Sequence, residues 1–486
     1  MSVNNSDDIS ADTGTATAGS SILGSVKPEN IIFISKSSQD TSKPDTHDIF
    51  SLEEEASEQG PAFKLSRTPV TNVPQPLLDE FLTGGLPEYL QSGPSRHVHV
   101  VVSTGSGTGL SLKFYNSILQ PVLESWGVRP LDPSADTADR SKPNTYNLVV
   151  TQSADSVRDF ARNLGRASQD AVQHTVVLLS GDGGVVEMLN GKAPGDGSSR
   201  EPNLPLIAIL PLGTGNALFY SLHKSVTTVA GTPEPSGLVQ SLRTLFDGKA
   251  APLPSFRADF TPGSRIISYT NPDKGDSSGT AEAESHADAV SHLYGAIVAS
   301  YGFHSQLVWE SDTPEYRKHG DKRFGMVAQE LLKESHAYNA SVELARKDGS
   351  RRQKLDRDRH AYILATVVSN LEKTFTISPS SRPLDGKLRL VHFGVVSGEK
   401  TMEIMMAAYG GGKHIGMKWT TEEGVEEKVG YDETDVVKIT TREEDARWRK
   451  VCIDGTIVEL PQGGSMTVQT EDKPHLQVLV DKSVIA

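Results

Sequence analysis

Cysteine is all but missing from this chain. Cys452 is the one thiol in 486 residues, which excludes an internal disulfide and any metal cluster built on thiolates. Long apolar runs are missing too: Val98–Val102 and Leu206–Leu212 fall far short of the roughly 20 residues that a membrane-crossing helix needs. Met1–Ser21 has neither a basic start nor an apolar stretch, so no secretory signal is readable. Together these absences give an expected location in the cytoplasm. Positive charge is in deficit, with 48 Lys and Arg against 62 Asp and Glu and a net charge of −14. That disfavours nucleic acid as a partner, because a basic face supplies most of such affinity. No internal repeat is visible, and nothing specifies an oligomeric state.

What is present divides the chain into three. Residues 1–73 are largely polar and are expected to form a mostly disordered N-terminal extension, since few large apolar side chains are available to offset ordering entropy. Ile31–Ile34 is a short apolar exception. Residues 74–250 carry a strand–loop–helix rhythm, with strands at His97–Val102, Asn147–Thr151, Thr175–Leu179 and Leu206–Leu212. Helices are expected from Leu110 to about Trp126 and over Ser156–Ala167. Alternation of this kind predicts a parallel sheet covered on both faces, with ligands at the carboxyl ends of its strands. Residues 251–486 change texture to short strands separated by Gly, Asp or Pro, which predicts a mainly antiparallel β domain. Two helices interrupt it, near Arg323–Ser335 and Gly398–Tyr409, the second closed by Gly410-Gly411-Gly412. The polar segment 262–289 reads as a mobile insertion, and 132–143 and 194–203 as surface insertions.

Three glycine-rich loops each follow a strand of the middle region: Ser103–Gly109, Ser180–Gly184 and Pro211–Asn216. A phosphate must approach main-chain N–H groups closely, and a Cβ would obstruct it. One such loop is ordinary turn chemistry; three on one edge of one sheet point to a polyanion. None matches Gly-x-x-x-x-Gly-Lys-[Ser/Thr], so this is not a P-loop. The loops contain no Lys or Arg, so any cations for a polyanion must come from elsewhere in the chain.

Leu178–Gly191 resembles the nucleotide-binding signature of diacylglycerol, ceramide and sphingosine kinases, and Ser-Gly-Asp-Gly with Glu187 five residues after Asp182 is most similar to the sphingosine kinase branch. Leu210–Ala217 resembles that family's second glycine motif and Ser103–Gly109 its first loop. Tyr301-Gly302-Phe303, Tyr316-Arg317-Lys318 and Arg323-Phe324 resemble a segment of its β domain, and Asp454-Gly455 stands where the family has Asp-Gly-Glu. The likeness runs in order from about residue 95 to 480. It implies an α/β + β architecture: an N-terminal Rossmann-like α/β nucleotide-binding domain, then a mainly antiparallel β-sandwich, with a cleft between them. It implies ATP and Mg2+ as cofactors, a lipid substrate that is either a sphingoid base or an acylglycerol, and transient contact with a membrane surface. Asp182 would accept the proton of the lipid hydroxyl. ATP would be held by Ser103, Gly105, Ser106, Gly107, Thr151, Ser180, Gly181, Gly183, Glu187, Gly213, Thr214, Gly215, Asn216, Arg317, Arg323 and Asp454. Asp454 would also serve Mg2+, and Gln306, Val308, Glu310 and Asp312 would meet the lipid.

Each role has a plainer competitor. Asp182 could cap a turn, Glu187 favour a helix start, Thr151 mark a helix entry, Arg317 and Arg323 belong to a solvated face, and Asp454 form a hairpin turn. The chain also departs from the family. Ser103-Thr104 replaces Asn-Pro, Thr108 a basic residue, Gly184 a Thr and Thr456 the acid of Asp-Gly-Glu, while Val308 stands where sphingosine kinases carry an Asp. Two alternatives therefore stay open: a nucleotide- or lipid-holding protein without transfer, and a kinase of a soluble substrate of the NAD kinase type.

Overall fold

The structure, a computed structural model, describes residues 26–37, 46–57, 60–107, 109–132, 144–153, 155–167, 172–191, 203–223, 233–269, 288–320, 322–350, 352–421 and 424–485. The expectations placed on 1–25, 133–143, 194–202, 270–287 and Thr108 lie outside the described residues.

The N-terminal part departs from the expected disorder. Strands β1 (Ile31–Lys36), β2 (Thr46–Ser57) and β3 (Gly60–Thr71) form an antiparallel sheet in that order. Ile32, Phe33, Phe50 and Leu52 are buried in one core with Phe114, Ile118, Leu242 and Phe246 of the next region. Phe33 stacks on Phe50 at 4.6 Å and meets Phe246 at 4.9 Å. Ile31, Ile34, Ile49 and Val70 pack on Phe81 of the helix Gln75–Phe81. These side chains are thinly spread over polar sequence, and the partners that bury them are distant in the chain. Local composition does not show them.

The middle region is a sheet of seven strands among the described residues. Its strands are β4 (Arg96–Val102), β5 (Arg129–Pro130), β6 (Thr145–Val150), β7 (Gln173–Ser180), β8 (Leu206–Pro211), β9 (Lys249–Pro252) and β10 (Gln477–Val480), in the order β5-β6-β4-β7-β8-β10-β9. All neighbours are parallel except β10 with β9. The continuous apolar runs of β4 and β7 suit strands covered on both faces, and Val100–Val102 and Val176–Leu179 are fully buried. Helices α1 (Ser111–Phe114, a π turn at Tyr115–Leu119, then Gln120–Ser125), α2 (Ser156–Ala167), α3 (Asp182–Asn190), α4 (Ala217–Leu222) and α5 (Gly237–Asp247) link the strands. Because β4, β7 and β8 are adjacent, the three glycine loops emerge side by side.

Strand β10 corrects the expected boundary of the last domain. The chain leaves the α/β sheet after β9, builds the β domain from Phe256 to Thr470, and returns to pair Gln477 with Leu206 of β8 and with Pro252 of β9. An apolar run such as Leu476–Val480 announces a strand but not the sheet it joins.

The strands of the β domain are joined in one hydrogen-bonded path, antiparallel and fourteen-stranded among the described residues. Its two halves meet at the strand Tyr338–Ala345. There Tyr338 and Asn339 pair with the strand Arg359–Thr366, while Ala340–Ala345 pair with Val436–Thr441. The expected mobile insertion begins later than residue 262: Arg265–Ile267 pairs with Ile457–Glu459 on one side and Asp288–Ala289 on the other. Helices α6 (Phe303–Ser311), α7 (Lys322–Glu334) and α8 (Gly398–Tyr409) cover this sheet. The two halves of the molecule are stitched by Asn190, whose side chain accepts from Tyr294 N–H and donates to Tyr294 C=O, both at 2.8 Å. No helix of the described residues is long and apolar enough to cross a membrane.

Candidate active site

The three glycine loops form one surface. Ser103 N–H donates to Leu179 C=O at 3.0 Å, and the Ser106 hydroxyl reaches those of Ser103 at 2.8 Å and Ser180 at 3.0 Å, tying the first loop to the second. Leu212 N–H donates to Ser180 C=O at 3.2 Å and Asp182 N–H to Gly215 C=O at 3.1 Å, tying the second to the third. A Cβ on Gly213 would sit 2.2 Å from Gly181 Cα, and one on Gly107, at φ +55°, 2.6 Å from Leu212 O. Those glycines let the loops touch. Gly183 serves differently, since nothing lies within 4 Å of its absent Cβ and it faces a cavity.

That cavity, of about 1930 Å³, lies between the two halves of the molecule. From the α/β side it is lined by Ser106, Gly107, Gly181, Asp182, Gly183, Glu187, Gly213, Thr214, Gly215 and Asn216. The β side contributes Val308, Asp312, Arg317, Arg323 and Asp454, and an apolar stretch that includes Phe303, Leu307, Ala328, Leu332, Tyr362 and Met405. Ser103, Gly105, Thr151, Ser180, Gln306 and Glu310 do not line it. Thr151 instead accepts from Thr104 N–H at 2.9 Å and fixes the first loop to the end of β6. Ser180 is buried beneath Ser106.

The two aspartates differ in how their oxygens are engaged. Asp182, the first residue of α3, accepts from Ala217 N–H at 2.7 Å and Leu218 N–H at 3.1 Å. It therefore caps α4, some 35 residues on, and not the turn that follows it, yet two of roughly four acceptor positions remain. Burial raises its pKa to about 6, against the pull of the two amide bonds. Asp454, at φ +46°, accepts from the three amides of Ala296, Ile297 and Val298 at 2.6–3.2 Å, the Ile297 N–H being shared between its two oxygens. Burial pushes its pKa to about 7, and the nearby charge of Asp182 adds to the rise. Asp454 clasps the turn between His292–Gly295 and Val298–Gly302.

Among the described residues no group of three or more His, Cys, Asp or Glu is placed to hold a metal ion. Asp454, expected to serve Mg2+, belongs to no such group.

Asp312, expected to meet the lipid, instead organises two cations. It binds Arg317 through Nε at 2.9 Å and Nη2 at 2.5 Å, and Arg323 Nη1 at 3.3 Å, so both arginines are gathered at the cavity wall. It is thus a clamp on the cations and not a free contact for a lipid head. Arg323 Nε is buried without a partner. Gln306 is buried and donates to Glu310 at 2.7 Å, and Glu310 also accepts from Arg447 at 3.1 Å, which accounts for both away from the cavity. Val308 does line the cavity and packs with Trp309, Ile267 and Ile457. Glu187 stands on the wall with its pKa raised to about 7 by burial, partly countered by Arg158. Sequence reading passed over Arg158 and Asn190 and gave Asp312 a different role, because each acts through a partner brought near only by folding.

Residues 97–235 match the family model of the Diacylglycerol kinase catalytic domain. Two crystal structures from Bacillus anthracis str. Sterne are similar, each covering 80% of this chain and 98% of its own at 14% identity: a proposed diacylglycerol kinase with a TM-score of 0.47 and a diacylglycerol kinase with a TM-score of 0.44. No curated protein sequence matches the chain.

Proposed function

We propose that this chain, whose residues 97–235 match the family model of the Diacylglycerol kinase catalytic domain, transfers the γ-phosphoryl group of ATP to the hydroxyl of a lipid, either a sphingoid base or a diacylglycerol-like molecule. One observation carries the reading: a single cavity joins a glycine-lined end, beside Asp182 and two arginines, to an apolar chamber. The glycine-lined end suits a polyphosphate, whose oxygens would meet loop amides and the N–H groups of Arg317 and Arg323. The apolar chamber suits acyl or alkyl chain.

The lipid hydroxyl oxygen attacks the γ-phosphorus as its proton passes to a remaining lone pair of Asp182. The bond to the β,γ-bridging oxygen breaks, and ADP carries away that electron pair. Such transfer needs alignment and charge neutralisation more than covalent help from the protein. Any Mg2+ would arrive with the phosphates, since it is commonly bound through substrate oxygens and water. The enzyme would work in the cytoplasm and meet a membrane surface transiently to collect its substrate.

The second reading, nucleotide binding without transfer, is favoured by the engagement of both Asp182 oxygens by amides. Labelled γ-phosphoryl transfer from ATP to a mixed lipid extract, comparing the parent with Asp182→Asn, separates the two. Transfer by the parent alone supports the kinase; stabilisation by ATP without labelled lipid supports the second reading. Equal transfer by both proteins removes Asp182 from the reaction.

A further inference from the structure

A serine inside a helix commonly turns its hydroxyl back on the carbonyl one turn earlier. Ser221 of α4 does not. It is buried, and its hydroxyl donates to Asn370 C=O and accepts from Asn370 N–H, both at 3.0 Å. The pair crosses from the α/β half to the β domain and satisfies both backbone groups of one residue there. A buried hydroxyl is costly unless bonded, and alanine suits a helix better than serine. The helix by itself therefore gives no reason for this side chain.

Each end of the pair leads to one side of the cavity. On α4, one turn before Ser221, the N–H groups of Ala217 and Leu218 hold the two oxygens of Asp182. On the β side, Asn370 organises the loop that follows it. Its buried Nδ2 reaches Glu372 C=O at 3.3 Å, Lys373 C=O at 3.4 Å and Thr376 Oγ1 at 3.2 Å, and its Oδ1 accepts from the Ser369 hydroxyl at 2.8 Å. Leu371 N–H donates to Phe375 C=O at 3.0 Å and closes the loop. All of residues 371–375 line the cavity. Phe375 meets Tyr409 of α8 edge-on at 4.8 Å, and the Tyr409 hydroxyl donates to Glu372 at 3.0 Å, so the end of α8 is held with the loop.

Resting on the kinase reading, we propose that Ser221 and Asn370 are positioning residues for phosphoryl transfer: through their pair, α4 sets both the base Asp182 and the wall, residues 371–375, against which the acceptor lies. The attacking hydroxyl and the carboxylate that takes its proton are thereby placed from one helix, and the wall keeps water out of the acceptor's place. Transfer is sensitive to displacements of about 1 Å, and a closed site prevents loss of the phosphoryl group to water.

The test gives the full chain γ-labelled ATP and a mixed lipid extract in micelles, and compares the parent, Ser221→Ala, Asn370→Ala, the double variant and Tyr115→Phe. The last removes one member of a buried hydroxyl pair, 2.8 Å from Tyr146 and away from the cavity lining, and controls for lost stability. Labelled lipid and labelled inorganic phosphate are counted together. The phosphate forms when water replaces the acceptor: its oxygen attacks the γ-phosphorus, its proton passes to Asp182, and ADP leaves with the bridging oxygen. In each single variant the ratio of labelled lipid to labelled phosphate falls about tenfold, the worth of one hydrogen bond, while the KM for ATP matches the parent. The double variant falls by less than the product of the two, since both act on one connection. An unchanged ratio in either single variant, a fully multiplicative double variant, or an equal fall in Tyr115→Phe overturns the proposal. A second arm, amide hydrogen exchange, needs no catalysis. In Asn370→Ala the N–H groups of Ala217 and Leu218, on the other half of the molecule, exchange about tenfold faster, together with those of Leu371 and Phe375. If the parent labels neither lipid nor phosphate, the kinase reading falls. The coupling is still decided by exchange, because unchanged rates at Ala217 and Leu218 in Asn370→Ala refute it.

Discussion

Alanine at two glycines, Gly213 and Gly183, tests the phosphate surface from opposite sides. At Gly213 the new Cβ would stand 2.2 Å from Gly181 Cα and 2.7 Å from Gly181 N. Carbon contacts settle near roughly 3.5–4 Å, so the second and third loops must part by more than about 1 Å. Backbone on both sides leaves no flexible side chain to yield. Overpacking of this kind costs about 1–3 kcal/mol, and a displacement of that size at a reacting centre costs about a hundredfold in rate. Gly213→Ala should therefore lower the melting temperature by several degrees and both ATP affinity and turnover severely. Gly183→Ala differs, because its Cβ meets nothing within 4 Å and the site lies in the first turn of α3. Alanine is favoured over glycine in a helix by up to about 1 kcal/mol, so the fold should melt no earlier. The methyl group would instead occupy the space where phosphate oxygens approach the amides. Melting curves with and without ATP, together with equilibrium ATP binding, read both effects. A Gly183→Ala protein that binds ATP as tightly as its parent would refute the cradle, and a Gly213→Ala protein with unchanged melting and turnover would refute the contact between loops.

Asp182→Asn should lower kcat by about 10²–10⁴, the usual worth of general-base assistance, while ATP binding persists in calorimetry. Since burial holds the Asp182 pKa near 6 and the base must be ionised, kcat/KM should fall about tenfold per pH unit below 6 in the parent; a flat profile down to pH 5 removes that role. The stability linkage has the opposite sense. A folded pKa above the unfolded one gives a favourable contribution that is full below about pH 4 and lost as pH rises through 6, and Asp182→Asn should erase that part of the melting profile. Arg323→Ala should raise the KM for ATP about tenfold or more and leave the lipid KM unaltered; equal changes in both would contradict a phosphate contact. Deleting residues 1–73 strips Phe33, Phe50 and Leu52 from a shared core. At about 1.5–3 kcal/mol each, their loss rivals the whole stability of a typical domain, so the truncated protein should lose its cooperative melting transition; an unchanged transition would show that the sheet is dispensable.

The glycine loops were legible because their signal is local: a strand, then residues without Cβ, then a helix. Helix α8 was equally plain, since Ser397 caps its start, its side chain accepting from Lys400 N–H, and Gly410–Gly412 close its end. What escaped is the part that depends on distant partners. Asp454 reads as a turn residue in sequence, and nothing there tells that three amides some 157 positions away converge on it. Asp312 likewise looks like one acid in a charged stretch until folding turns Arg317 and Arg323 toward it. The β1–β3 sheet was missed for the same reason, because its apolar residues acquire their partners from α1, α5 and the helix Gln75–Phe81.

The return of β10 to the first sheet leaves the halves joined by two chain crossings laid side by side. Leu253 N–H donates to Leu476 C=O at 3.0 Å and Glu471 N–H to Ser255 C=O at 2.9 Å, so the crossings form a short two-stranded strap. A strap of that kind bends readily out of its own plane and resists shear or twist within it. The strap and the Asn190–Tyr294 pair thus fasten the two cavity walls to each other at separate points along the chain.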